Sequence, residues 1–92
     1  MLKLKITASF QKDIKRMRKR NKDEKKLSIV INKLLKKEPL EEKYRDHKLV
    51  NYSSGENMRE CHIEPDWLLV YNIDDEYLVL SLIRTDSHSD LF

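Results

Sequence analysis

The chain has 92 residues, 39% hydrophobic and 38% charged, enough for one modest core beneath a densely charged surface. A lone cysteine, Cys61, excludes an internal disulfide framework and fits a reducing cytoplasm. No apolar run exceeds five residues, far short of the ~20 that a bilayer-spanning helix needs, so no membrane partner is expected.

The formal net charge of +3 conceals a strong asymmetry. Residues 1–48 carry 17 Lys/Arg against 7 Asp/Glu, and residues 49–92 carry 2 against 9. A basic half joined to an acidic half points to a polyanionic partner. Without repeats or a Pro/Gly/Ser-rich linker, residues 1–92 read as a single domain.

Leu2, Leu4 and Ile6 alternate with Lys3, Lys5 and Thr7, which predicts a half-buried strand. Ser9 stands where an N-cap would, and Phe10, Ile14 and Met17 follow at helical spacing. Asp23 and Glu24 open a second helix, with Leu27, Val30, Ile31, Leu34 and Leu35 as its apolar stripe. Glu38-Pro39 ends it, because the residue before proline is driven out of the helical region. Residues 38–57 read as a long irregular connection, a length that suggests a functional loop.

Three strands are then predicted, at 58–64, 67–73 and 77–84, the last two almost continuously apolar as in the covered centre of a sheet. The end of the chain, from Thr85, reads as a turn or a single helical turn capped by Asp86 or Ser87. The order β-α-α-β-β-β predicts an α+β fold with both helices on one face of a mostly antiparallel twisted sheet.

All three histidines fall outside the predicted helices. His62 alternates with Cys61 and Ile63, so if those two face the helices, His62 faces the open side of the sheet. Neighbouring strand ends and a returning loop can bring His47, His62, Asp66, Arg84 and His88 to one concave surface. Imidazoles, a carboxylate and a guanidinium suit metal-independent cleavage of RNA. One group takes the proton of the ribose 2′-OH, the alkoxide attacks phosphorus, and another group protonates the leaving 5′-oxygen.

A zinc site is the rival reading, and it is disfavoured. Cys61 and His62 are adjacent on a strand and point to opposite faces, and no close ligand pair is present. No cofactor is expected. The run from Lys15 to Arg20 includes Lys15, Arg16 and Lys19 as candidate contacts to RNA phosphates, without sequence preference. Trp67 and Tyr71 read as core, whereas the terminal Phe92 could stack on a base.

Asp46-His47-x-Leu49, the run Arg59-Glu60-Cys61-His62-Ile63-Glu64-Pro65-Asp66-Trp67-Leu68-Leu69-Val70-Tyr71, and the ending Arg84-Thr85 to His88-Ser89-x-Leu91-Phe92 together resemble the YafQ branch of the RelE toxin superfamily. Phe10-Gln11-Lys12-Asp13 and Lys37-Glu38-Pro39-Leu40 are similar too, so the resemblance covers nearly the whole chain. It implies a small RelE-like fold and a bacterial type II toxin, an endoribonuclease that enters the ribosomal A site and cuts mRNA during translation.

Carried over by matching positions, the catalytic roles fall to His47, His62, Asp66 and His88, with Phe92 assisting substrate placement. His88 becomes the candidate general acid, Asp66, His47 or His62 the base, and Arg84 or Arg59 the stabiliser of phosphate charge. The implied partners are mRNA, the 70S ribosome with its rRNA phosphates, and an antitoxin, usually a dimeric ribbon-helix-helix DNA-binding protein.

Asp86 stands where family members commonly have glycine, close enough in sequence to His88 to tune that imidazole. A ribosome-independent ribonuclease and a non-catalytic RNA or ribosome binder remain the alternatives at this stage.

Overall fold

A computed structural model describes residues 1–50 and 57–91. Its elements run β1 (Lys3–Ile6), α1 (Ala8–Lys19), α2 (Glu24–Leu35), a single 3-10 turn (Glu42–Tyr44), β2 (His47–Lys48), β3 (Met58–Glu64), β4 (Trp67–Asp74), β5 (Val79–Asp86) and α3 (His88–Leu91). The strands form one mixed sheet in the order β1-β5-β4-β3-β2. β1 lies parallel to β5, and the remaining pairs are antiparallel. The α+β architecture is as expected.

The core lies between one face of the sheet and the helices. Cys61, Ile63, Trp67, Leu69, Tyr71, Leu80 and Leu82 meet Phe10 and Met17 of α1 and Leu27, Val30 and Leu34 of α2. Each large apolar side chain buried in this way contributes about 1.5–3 kcal/mol before its ordering cost is subtracted. Trp67 is wholly buried, and its indole N–H is satisfied by Thr85 Oγ1 at 2.8 Å. The Thr85 hydroxyl in turn donates to the Leu68 carbonyl at 2.7 Å.

Several local expectations change. The N-cap of α1 is Thr7, not Ser9: Thr7 Oγ1 accepts from the Phe10 N–H at 3.1 Å. Its hydroxyl also faces the Leu82 and Ile83 carbonyls at 2.9 and 3.0 Å, which ties the helix start to β5. Asp23 caps α2 through the Lys25 N–H. β1 buries less than its alternation predicts. Leu2 enters the core, but Leu4 and Ile6 stay 45% and 44% exposed beside a groove formed with α1 and α2.

The long connection is not wholly irregular, since it holds the 3-10 turn and the two residues of β2. β5 starts two residues later than expected. Asp74 Oδ1 accepts from the Glu76 and Tyr77 N–H groups, and Leu78 closes the turn at φ 57°. At its far end β5 runs on through Asp86, and Ser87 then opens α3 by accepting from the Asp90 N–H.

Candidate active site

Strand register builds the site on the sheet face opposite the helices. Glu60 pairs with Val70 and Val70 with Arg84, while His62 pairs with Leu68 and Leu68 with Asp86. Because side chains alternate, the β3 and β4 members of these rows project from the same side, while their β5 members, Arg84 and Asp86, follow a register shift and bond to residues of α1 and its C-cap. Leu68 and Val70 give the rows a buried apolar floor. β2 adds His47 directly opposite Glu60.

Glu60 is the residue that sequence reasoning missed. Its side chain is 5% exposed, and Oε1 lies 3.6 Å from His47 Nε2 and 3.7 Å from His62 Nε2. The signal was present: an acid two positions before a histidine, on a strand whose other face is core. Two imidazoles flank this carboxylate. His47 Nδ1 lies 2.7 Å from the Arg45 carbonyl and His62 Nδ1 lies 3.3 Å from the Pro65 carbonyl. A carbonyl can only accept, so the partners assign the hydrogen to Nδ1 in both rings and turn both Nε2 atoms toward Glu60.

His47 is held through its neighbour. Asp46 accepts from the Tyr71 hydroxyl and forms an ion pair with Arg59 at 3.0 Å. Burial, reinforced by the Asp46 carboxylate, pushes the Tyr71 hydroxyl pKa well above its usual value. The hydrogen bond to Asp46 likewise raises that of Arg59. Arg59, a candidate phosphate contact from sequence, is thus engaged in anchoring the segment that carries His47.

Arg84 is clamped from the helix side. Its Nε and Nη2 donate to Asp13 Oδ2 and Oδ1 at 2.6 and 3.1 Å. Asp13, on α1, is 1% exposed and also accepts from the Thr85 N–H at 3.0 Å. One strand, β4, separates Arg84 from Glu60 in their shared row, and two strand spacings amount to about 10 Å.

The other predicted residues divide. Asp66 is exposed in the β3–β4 turn and lines a hollow with Arg20, Lys22 and Ser87, beside the start of α3. His88 is the first residue of α3, one position beyond Ser87. Phe92 lies outside the described residues. Arg16 bonds Asp86 Oδ2 at 2.9 Å and Asp13 at 3.2 Å, which gives it a structural engagement. Lys15 and Lys19 are exposed on α1.

Asp86 is fully buried between Arg16 and Arg20 and also receives the Ser87 N–H at 2.8 Å. Its charge is thus matched by two guanidinium groups. Asp90 completes this cluster. The Ser87 hydroxyl and then Arg20 hold its carboxyl below the usual range.

Among the described residues, no group of three His, Cys, Asp or Glu side chains is arranged to hold a metal ion. No helix in that set is long and apolar enough to cross a membrane.

The family comparison places this α+β chain, with its imidazoles, buried carboxylate and clamped guanidinium, in the type II toxin–antitoxin toxin class. The family described as "Bacterial toxin of type II toxin-antitoxin system, YafQ" matches residues 2–92, and the chain belongs to that family.

Among its relatives, the mRNA interferase toxin YafQ of Escherichia coli (strain B / BL21-DE3) is 38% identical over 90 residues, covering 97% of this chain and 94% of that protein. The expected enzyme class is the one this relative is named for. The E. coli DinJ-YafQ complex contains a chain of similar fold, with TM-score 0.89, 36% identity and coverage of 100% and 99%. A metal-bound toxin from Helicobacter pylori gives TM-score 0.91 and 41% identity, with both chains covered in full.

Proposed function

We propose that this toxin is an endoribonuclease that cuts mRNA on the translating ribosome, using side chains alone for proton transfer. The observation that carries the reading is the shared placement of His47, Glu60 and His62 on one open sheet face, in register with Arg84. The names of its relatives support the RNA substrate.

In this mechanism an imidazole of the Glu60 group accepts the 2′-OH proton at Nε2, and Glu60 stabilises the imidazolium that results. O2′ attacks phosphorus, the bond from phosphorus to O5′ breaks, and His88 supplies the proton that O5′ takes up. The products are a 2′,3′-cyclic phosphate and a 5′-hydroxyl. Arg84 offsets the charge that develops on the phosphoryl oxygens; Asp13 fixes its guanidinium beforehand, so little reorganisation is required. Asp66, set beside Ser87, is left to orient the α3 end of the site. Phe92 supports the substrate by stacking.

Lys15 and Lys19 contribute phosphate contacts along the ribosomal RNA. The cognate inhibitor is an antitoxin, as the DinJ-YafQ complex suggests, and we assign it the dimeric ribbon-helix-helix class.

The test is primer extension on mRNA after induction of the native chain or His88→Ala, with growth followed in parallel. Discrete cleavage and growth arrest with the native chain, both lost with a folded His88→Ala protein, support the reading. Equal toxicity of the variant overturns the assigned role. Purified protein with naked RNA, with translating ribosomes, and with each in the presence of a chelator separates ribosome dependence from metal dependence.

A further inference from the structure

β2 pairs with β3 at Glu60 and Arg59, so among the described residues the outer edge of β3 from Cys61 to Glu64 has no strand beside it. The chain entering β2 swings away there through the 3-10 turn, and a cleft of about 510 Å³ opens between that turn, α2 and the β3–β4 turn. Lys26, Lys43, Arg45 and His62 are among its lining residues. His62 is therefore a wall common to the cleft and the Glu60 group. The volume lies within the range of ordinary ligand sites.

The charges in the cleft are not equivalent. Lys26 is paired to Glu64 at 2.8 Å, and Lys22 shares the same carboxylate. Among the described residues, Lys43 pairs with the carboxylate of Glu41 at 4.0 Å, with both side chains largely exposed, and lies over the Tyr44 ring. Arg45 makes no ion pair among the described residues and is exposed. Its backbone lies in the left-handed region at φ 48° and ψ 42°, which for a residue with a Cβ persists only when the surroundings enforce it. They do: the Arg45 N–H bonds to the Glu42 carbonyl, and its own carbonyl receives His47 Nδ1. A single residue thus orients His47 through its backbone and presents a cation to the cleft through its side chain. Tyr44 is not free to stack, since Lys33 and Lys43 lie 5.7 and 5.1 Å from its ring centre. What the cleft offers is cationic recognition of phosphate.

We propose that this cleft is an RNA subsite in which Lys43 and Arg45 hold a phosphodiester of the strand beyond His62. The proposal rests on the nuclease reading above and extends it to the path of the strand. The ligand chemistry is an RNA phosphate, supplied by the message or by ribosomal RNA.

The test measures binding of a labelled, fully 2′-O-methylated single-stranded oligoribonucleotide, and separately of empty 70S ribosomes, to the full chain. The variant is Lys43→Gln/Arg45→Gln; Lys36→Gln, at the other end of α2, is the charge control. The double variant is expected to bind roughly ten-fold more weakly near 0.1 M salt, with a log–log salt slope shallower by about 1.4, as for two lost phosphate contacts on a single strand. A defect on the oligonucleotide assigns the phosphate to the message, and one confined to ribosomes assigns it to ribosomal RNA. Arg45→Gly, which suits the left-handed backbone and keeps the carbonyl, repeats the measurement should the glutamine pair fail to fold.

Unchanged affinity and slope on both RNAs, in a protein that still cuts mRNA at the parent rate, overturns the cleft and leaves the nuclease reading standing. A parent chain that binds neither RNA overturns both.

Discussion

Asp13 and Arg84, 71 positions apart, are joined by two hydrogen bonds of 2.6 and 3.1 Å. An acid from the basic half thereby grips one of the few cations of the acidic half. The grip fixes α1 against β5 and holds the guanidinium in the row that ends at Glu60.

Asp13→Ala should therefore destabilise the fold by about 3 kcal/mol, the lower end of what breaking a buried pair costs, because Arg84 retains access to water. Asp13→Asn keeps an acceptor for the Thr85 N–H and should cost roughly half as much. Urea unfolding of the three proteins measures both effects.

Glu60→Gln leaves a side chain of the same shape between His47 and His62 but removes the negative charge. We expect single-turnover cleavage to fall by about 10²–10⁴-fold with little change in RNA affinity, and the pH–rate profile to change shape. Tyr71→Phe removes the hydroxyl that steadies Asp46. It should slow cleavage less, leave the profile's shape alone, and cost about 1 kcal/mol of stability.

Charge removal on α1 separates two populations. Lys12, Lys15 and Lys19 are exposed, whereas Arg16 and Arg20 hold the buried Asp86. Changing the three lysines to Gln should weaken RNA binding and flatten its salt dependence while leaving the melting temperature nearly unchanged. Changing Arg16 and Arg20 together should lower the melting temperature. Thermal melts and salt titrations of both variants check this.

Hydrogen bonds from Lys26 and then Lys22 hold the Glu64 carboxyl below the ordinary glutamate range. A folded-state value below the unfolded one gives stability that is complete above the ordinary pKa of about 4.3 and is lost as pH falls through the lowered value. Between pH 6 and 2 the native melting temperature should fall more steeply than that of Glu64→Gln, with the two curves converging at the acid end. Asp90, held low by Ser87 and Arg20, contributes in the same direction.

Cys61 is wholly buried, and burial pushes its thiol far above the usual range. The folded protein should resist iodoacetamide at pH 8 and react fully in denaturant, as mass spectrometry would show.

Alternation and helical spacing made β3, β4 and both long helices legible, because one face of each meets the core. β2 was not legible: His47 and Lys48 are paired only through register with β3, which no local pattern encodes. His62 was placed on the open face because Cys61 and Ile63 claim the other. Glu60 was passed over because a charged residue on a strand reads as solvated until its burial is seen. Arg59 and Arg16 read as phosphate contacts for the converse reason: Asp46 and Asp86, which engage them, are brought close by the fold and by no local pattern.

The parallel pairing of β1 with β5 sets an order of assembly during synthesis. The first strand made has no neighbour in the sheet until the last one emerges, and Thr7 awaits Leu82 and Ile83 before its hydroxyl is satisfied. Closing so wide a loop is slow compared with forming the α1–α2 hairpin. A nascent chain that stops short of Val79 lacks β5, the one strand that β1 pairs with among the described residues, however well its helices have formed. Closure of the sheet over α1 therefore waits on β5, although β1 is made first.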